Sequence, residues 1–359
     1  MSSATVGNDL SDKVLNWTCK LSEYRTPSDW RGSCELAITA IPFAAAWFLM
    51  YWGLLHGHIW LYLLMFLPAS GFLVRLFLIQ HDCGHRTFFS NKHANDWVGR
   101  IISVLTLTPY DHWRRAHAIH HATHGNLGRR GVGDVDTLTV SEYLARSRWA
   151  RLRYRAYRHP LVLFGIGPAF VFVLQNRFPA GFTHKGWLPW ASTMGTNAAI
   201  AVTVALLIWL IGFSAFLVIH APVLLLGAAC GVWLFYVQHQ FENTYWERQE
   251  SWTFRDGALH GSSNYQLPPV LRWFTANIGM HHVHHLSSQI PYYRLPAVLR
   301  DHPQLNEVNR LTLRASFKCV RLALWDEGHH RLISFKDLRA PSRVTRPLSA
   351  EPGIDSLRG

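Results

Sequence analysis

Four long runs of apolar residues dominate the sequence and constrain its fold. Residues 36–55 carry no charge, and residues 59–80 carry only Arg75, near the far end of the run. Residues 198–217 and 223–237 are also uncharged. A helix needs about 20 apolar residues to cross the hydrocarbon core of a bilayer. The sequence therefore predicts four transmembrane helices, and we expect Arg75 to snorkel to the membrane surface.

The predicted spans form two pairs, joined by short turns at residues 56–58 and 219–222. Neither turn contains Lys or Arg. Because Lys and Arg are enriched in cytoplasmic loops, both pairs are expected to begin and end in the cytoplasm. The apolar segment 161–174 is too short for a straight span and is expected to be interfacial or re-entrant. We predict an all-α integral membrane protein with four transmembrane helices in two hairpins and a cytoplasmic helical cap.

Composition outside the spans predicts three regions. Residues 1–35 lack the pattern of a secretory signal peptide and are expected to form a cytoplasmic segment. Residues 36–300 form the predicted membrane domain. Residues 301–359 are expected to be a basic extension, mostly disordered from about residue 337. The formal charge of +13 lies beside the spans, which favours contact with anionic membrane lipids over a nucleic-acid partner.

Three histidine groups carry the candidate chemistry. Histidines three or four positions apart lie on one face of a helix. A single such pair is often only a surface feature, but all three groups follow predicted membrane exits on the same side, so we predict that they bind metal. Eight imidazoles exceed the set that one zinc ion takes, which indicates two metal ions. The groups are His81 and His85; His117, His120 and His121; and His281, His284 and His285.

The three groups, with the stretches VQHQFENTYW (237–246), GSSNYQLP (261–268) and NIGMHHVHHLSSQIPYYRL (277–295), resemble the membrane fatty acid desaturase family. The three stretches resemble those of bacterial acyl-lipid desaturases, and the similarity covers roughly residues 36–300. Imidazole ligands alone do not choose the metal. The resemblance implies two non-haem iron ions that activate O₂ and desaturate a fatty acyl chain carried on a lipid.

The resemblance also implies a ligand outside the three groups, and His239 matches it. No nucleotide-binding fingerprint and no fused cytochrome-like domain is found in the sequence. Electrons are therefore expected from a separate ferredoxin or cytochrome with its reductase. The expected location is a bacterial inner membrane, with the active site facing the cytoplasm.

Further polar residues near the histidine groups have two interpretations. Carboxylates often orient ligand imidazoles through the second ring nitrogen, but solvated loop acids are equally common. Asn277 is a candidate to hold a metal-bound water or to cap the helix of the third group. His124, which extends the second group, is expected to be structural. The candidate carboxylates are Asp82, Asp134, Asp136 and Glu242.

Other functions remain open on the sequence alone. A hydroxylase, ketolase or acetylenase would use the same two-iron scaffold and differ only in its product. A membrane zinc hydrolase would need fewer histidines and a general base. A metal transporter would place ionisable residues within its spans, near the midplane. The clustered histidines at the span ends favour the desaturase.

Overall fold

The computed structural model describes residue 17 and residues 19–179 and 186–339; part of the predicted N-terminal segment and the tail from residue 340 lie outside these residues. The described chain is mostly helical. Its α-helices outside the segment 162–177 are α1 Asp29–Leu55, α2 Ile59–His85, α3 Lys92–Leu105, α4 Tyr110–Thr123, α5 Val140–Ala145, α6 Arg148–Tyr157, α7 Trp187–Ile211, α8 Phe213–His239, α9 Phe254–His260, α10 Pro269–Phe274, α11 His281–Leu286, α12 Leu295–Asp301 and α13 Leu313–Cys319.

Four helices of the described residues are long and apolar enough to cross a membrane, which agrees with the predicted number of spans. They are α1, α2, α7 and α8. Helix α1 packs against α2, and α2 packs against α8. The apolar segment that follows α6 is an irregular helix, Val162–Arg177, bent by 57° relative to α6. Such a bend is typical of a broken span or a re-entrant loop, so the expected re-entrant character of this segment stays a prediction.

The predicted turn between the last two spans was wrong. The break lies at Gly212, whose φ of 83° suits glycine, and α7 begins at Trp187 rather than near residue 198. Pro222 lies inside α8, where it cannot donate a hydrogen bond to the carbonyl four residues earlier. That carbonyl belongs to Val218. The hydroxyl of Tyr62 on α2 donates a hydrogen bond to it at 3.0 Å. A neighbouring helix thus supplies the partner that the proline removes.

The expectation that Arg75 snorkels was also wrong. Its side chain is 2% exposed and forms an ion pair with Glu35 of α1. It donates to the hydroxyl of Thr39 at 3.1 Å and to the carbonyl of Trp273, and its guanidinium lies 4.1 Å from the centre of the Trp273 ring. A buried charge is tolerated when it is paired and fully hydrogen-bonded. Arg75 therefore joins α1, α2 and α10 in the protein interior.

The predicted all-α class needs a small correction. In the part of the chain that the structure describes, five short strands form two sheets, and residues 301–339 contribute three of the five. Strand β4 lies between β1 and β5, and β2 pairs in parallel with β3. Strands of two to five residues leave too few alternations for a sequence pattern to detect. They are β1 Leu138–Thr139, β2 Asn264–Gln266, β3 Arg310–Thr312, β4 Leu322–Asp326 and β5 Arg331–Ser334.

Tyr110 connects the three helices that carry or flank the first two histidine groups. At the start of α4, it donates from its hydroxyl to the carbonyl of Cys83 on α2 at 2.6 Å, and this hydroxyl lies 3.1 Å from Asp96 on α3. Its ring packs against Gly99, where a Cβ atom would lie only 2.2 Å from the ring. Glycine at position 99 of α3 is therefore required for α4 to approach α3 this closely.

Replacing Tyr62 with Phe tests the hydrogen bond to Val218. We expect Tyr62→Phe to lower the free energy of unfolding by about 1 kcal/mol, because a backbone carbonyl in a membrane helix loses its partner. Thermal or denaturant unfolding in detergent measures the change. Tyr51→Phe, which removes a hydroxyl from α1, is the control and should cost less. Equal stability of the Tyr62 variant and the unmodified protein would contradict the interpretation.

Candidate metal centre

All nine histidines predicted as ligands lie at one end of the helices that carry them. His81 and His85 occupy the last turns of α2, which continues past the apolar run as predicted. His239 is the last residue of α8. The second group lies in the last two turns of α4, and the third group forms most of the short α11. Four helices thus bring separate parts of the chain to one place.

The nine imidazoles form two clusters. Within each cluster, the ring nitrogens lie within 4.8 Å of one another. Cluster A contains His81, His85, His117, His121 and His284; cluster B contains His120, His239, His281 and His285.

Neighbouring Nε2 atoms lie at nearly constant distances in both clusters. In cluster A, Nε2 of His117 is 2.9 Å from that of His81 and 3.0 Å from that of His85. In cluster B, Nε2 of His239 is 3.1 Å from that of His120 and 3.0 Å from that of His281. Two ligands about 2.1 Å from one ion and at right angles to each other lie about 3 Å apart, whereas tetrahedral ligands lie about 3.4 Å apart. The spacing fits a metal ion with more than four ligands.

The two clusters adjoin each other because single helical turns contribute to both. On α4, His121 belongs to cluster A and His120 to cluster B; on α11, His284 belongs to A and His285 to B. The rings of His121 and His285 stack across the boundary, with centroids 4.1 Å apart. The geometry can therefore hold two metal ions side by side.

Burial keeps these imidazoles neutral. The pKa values of His117, His121 and His284 lie well below the ordinary histidine value. Burial is the largest cause, and the neighbouring imidazoles are the next largest. The same causes lower the pKa values of His281 and His285. A neutral imidazole keeps one nitrogen lone pair free to bind a metal. Several such lone pairs facing one point without a cation would be unfavourable, so the donor set fits bound metal.

Two of the four candidate carboxylates contact ligand imidazoles. Asp134 lies 2.6 Å from Nδ1 of His120, and Asp82 lies 3.2 Å from Nδ1 of His81. The pKa of Asp134 is lowered although its burial alone would raise it, because His120 and His124 stabilise the carboxylate. An ionised Asp134 accepts the Nδ1 proton of His120 and leaves the Nε2 lone pair of His120 directed into cluster B.

The other two candidate acids do not orient a ligand. The side chain of Glu242 is 63% exposed and faces Arg331. In Asp136, it is the backbone carbonyl that accepts hydrogen bonds, from Tyr154 and Arg158. Among the described residues, neither carboxylate contacts an imidazole of the clusters, so the structure gives no support to a role in orienting a ligand.

Backbone groups that sequence reasoning could not identify also position the clusters. The carbonyl of Gly261 lies 3.3 Å from Nδ1 of His239 and 2.8 Å from Nε2 of His124. His124 is thus anchored by a carbonyl, as expected for a structural residue. The backbone N–H of Tyr292 donates to Asp82 at 2.6 Å and fixes the carboxylate beside His81. No motif signals a backbone partner that is distant in sequence.

Asn277 does not cap the helix of the third group. The residue before α11 is Met280, and the Asn277 amide approaches the carbonyl of Tyr292 at 3.4 Å. Asn277 and its neighbour Ala276 both have positive φ, at 55° and 46°. This uncommon backbone precedes the third group, and the idea that Asn277 holds a metal-bound water stays a prediction.

An apolar cavity opens directly against both clusters. We call it the histidine cavity. It reaches His81 and His117 of cluster A and His281 of cluster B. Helices α2, α4 and α8 and the segment 162–177 form most of its wall. Its other lining residues include Phe77, Trp113, Phe172, Leu234 and Phe235.

These features define a helical membrane protein with two adjacent histidine clusters that could hold metal ions, beside an apolar cavity. Residues 58–316 match the family described as fatty acid desaturase, and the chain belongs to that family. It is 41% identical over 331 residues to a fatty acid desaturase of Bacillus subtilis (strain 168), an alignment covering 92% of this chain and 93% of the relative. The protein is therefore an oxidoreductase that desaturates fatty acyl chains.

Two further relatives are acyl-lipid desaturases. The sn-1 acyl-lipid omega-3 desaturase (ferredoxin) of Synechocystis sp. is 30% identical over 245 residues, covering 61% of each chain. The acyl-lipid omega-3 desaturase (cytochrome b5) of the endoplasmic reticulum of Arabidopsis thaliana is 26% identical over 278 residues, covering 72% of this chain and 65% of the relative.

Replacing Asp134 with Asn tests the orientation of His120. We expect Asp134→Asn to weaken metal binding by about tenfold to a hundredfold, because an amide no longer fixes the His120 tautomer as a carboxylate does. Titration of metal-stripped protein with Co²⁺ measures the affinity. Asp136→Asn is the matched control, since its carboxylate contacts no cluster residue. Equal Co²⁺ affinity of the two variants would refute the role of Asp134.

Proposed function

We propose that clusters A and B bind two non-haem iron ions, and that the protein uses them with O₂ to desaturate lipid-linked acyl chains. The observation that supports this most directly is the grouping of nine buried or half-buried imidazoles into sets of five and four beside an apolar cavity. The ligands in this proposal are His81, His85, His117, His121 and His284 for one ion, and His120, His239, His281 and His285 for the other.

The reaction requires a redox metal rather than zinc. A methylene pair within an acyl chain has no adjacent group that would acidify its C–H bonds, so acid–base chemistry alone cannot break them. Bound iron would supply the activation of O₂ that this step needs. The protein contributes the positions of the imidazoles, the hydrogen bonds that hold them, and a cavity that excludes water.

The histidine cavity has the properties of an acyl-binding site. Its aromatic and aliphatic walls suit a hydrocarbon chain, and the imidazoles of both clusters lie at one part of the wall. Trp113 stacks on His117 with ring centroids 4.6 Å apart, and Phe235 lies 5.3 Å from His120. These rings would confine a methylene pair next to the metals.

A second, narrow cavity adjoins the histidine cavity on the side of the membrane-spanning region. The two share Val74, Phe77, Phe172 and Gly231 in their walls. The narrow cavity is also bounded by Leu73 and Gly227, and Leu73 in turn borders a larger apolar cavity between α1, α2, α7 and α8. We propose that the methyl end of the acyl chain points towards Leu73 and Gly227.

The proposed topology follows from charge. No Lys or Arg occurs in the link between α1 and α2, at residues 56–58, or around Gly212 between α7 and α8. By the positive-inside rule, each pair would form a hairpin whose open end and histidines face the cytoplasm, in the cell membrane of a bacterium. The relatives named for ferredoxin and cytochrome b5 support a separate one-electron donor, and ferredoxin suits a bacterial setting.

Fatty acid analysis of a bacterial host that expresses the protein with ferredoxin and its reductase tests the function. We expect new unsaturated fatty acids, mainly in membrane lipids, in gas chromatography with mass spectrometry. His284→Ala should abolish them and lower the bound iron from about two ions to about one per chain, since cluster A loses a ligand. His93→Ala, at an exposed position of α3, should change neither. Full activity of His284→Ala would contradict the assignment of His284 as a ligand. Hydroxylated products would contradict desaturation as the reaction.

Filling the narrow cavity tests the position of the acyl chain. A Cβ atom at Gly227 would lie 3.1 Å from the Leu73 side chain, so valine would close the cavity. We expect Gly227→Val to shift the products by at least one or two methylene groups towards shorter chains, because the methyl end loses room. Gly195→Val, on α7 where no atom lies near the added Cβ, is the control. An unchanged product pattern in Gly227→Val would argue against this placement of the acyl chain.

A further inference from the structure

We propose that electrons reach cluster B along a line of aromatic side chains that begins at the turn between β4 and β5. This inference rests on the proposed function. Desaturation removes two hydrogens from the acyl chain; with one O₂, two electrons and two protons, they form two waters. The electrons would come one at a time from an iron–sulfur or haem protein. None of the nine cluster histidines is exposed, so a protein donor cannot touch the metal ions.

The inner end of this line is His124. Its ring centroid lies 4.0 Å from that of His239 and 5.1 Å from that of His120, both in cluster B. Its Nε2 atom is 2.8 Å from the carbonyl of Gly261, so this nitrogen is not directed at a metal. His124 therefore adjoins cluster B without belonging to it.

Two buried tryptophans lead from His124 to the surface. The Trp246 ring lies 5.6 Å from that of His124. Trp246 and Trp325 are each 2% exposed and share a small apolar cluster with Leu127 and Leu332. The Trp325 ring lies 6.3 Å from that of His330, whose side chain is 66% exposed. The line thus ends in solvent, on a part of the protein outside the membrane spans.

A hydrogen-bonding role does not explain Trp246. Its indole N–H has no partner among the described residues, although buried tryptophans usually find one. What the side chain does provide is a conjugated ring between His124 and the apolar cluster that contains Trp325. The ring would improve electronic coupling between the donor and cluster B without itself being oxidised.

The alternative route through Trp113 is less suitable. Trp113 stacks on His117 of cluster A, but it also lines the histidine cavity. An acyl chain in that cavity would separate Trp113 from any soluble donor. His124, Trp246 and Trp325 do not line the histidine cavity, so a bound acyl chain would not interrupt the line that begins at the β4–β5 turn.

Two measurements separate electron entry from the later chemistry. The first is steady-state desaturation with reduced ferredoxin. The second is the unsaturated product formed when enzyme and substrate, fully reduced beforehand by long incubation with dithionite, receive one pulse of O₂. We expect Trp246→Leu to lower kcat about tenfold without changing the pulse yield or the iron content. Trp246→Phe should retain most of the rate. Trp233→Leu, which replaces a half-buried tryptophan of α8 that is not part of the line, should behave like the unmodified protein.

The exposed end of the line is tested separately. His330→Ala should raise the KM for ferredoxin and leave the pulse yield unchanged, because the donor would make contact there. An unchanged KM would overturn this placement of the donor. An unchanged kcat in Trp246→Leu, or an equal loss of kcat and pulse yield, would overturn the route. Absence of product from the unmodified protein in the pulse would instead contradict the proposed function itself.

Discussion

The rest of the structure depends on the convergence of nine neutral imidazoles. Their Nε2 atoms approach to about 3 Å, a distance at which lone pairs repel unless a cation lies between them. Groups outside the clusters hold three of the rings in place: Asp134, Asp82 and the Gly261 carbonyl lie against the Nδ1 atoms of His120, His81 and His239. Metal binding and folding are therefore expected to be coupled, as in other proteins whose ligands gather only in the folded state.

Sequence alone predicted the parts that depend on local periodicity and charge. An uncharged run about 20 residues long has few alternatives to a membrane span, and the i, i+3, i+4 spacing of histidines defines a helical face wherever the helix lies. The four span candidates and the grouping of eight of the nine histidines follow from these two rules. His239, which has no such spacing, depended on the family resemblance.

The errors came from interactions between residues distant in sequence. The Arg75 side chain is buried because it forms an ion pair with Glu35 and donates a hydrogen bond to the Trp273 carbonyl. No local sequence pattern shows these partners. Pro222 lies inside a helix because Tyr62, 160 positions earlier in the chain, supplies a hydrogen bond near it. The short strands β1 and β4 pair although Leu138 and its partner Leu324 are 186 positions apart. In each case a tertiary contact overrides the local preference.

The division of single helical turns between the two clusters has a mechanical consequence. Adjacent residues of α4 point into different clusters, and so do adjacent residues of α11. The separation of the two clusters is thus tied to the spacing of adjacent residues along an α-helix, one of the stiffest dimensions in a protein. Any change in the distance between the two clusters would have to shift or deform both α4 and α11. The backbone of these two helices therefore sets the spacing at which two metal ions would be held.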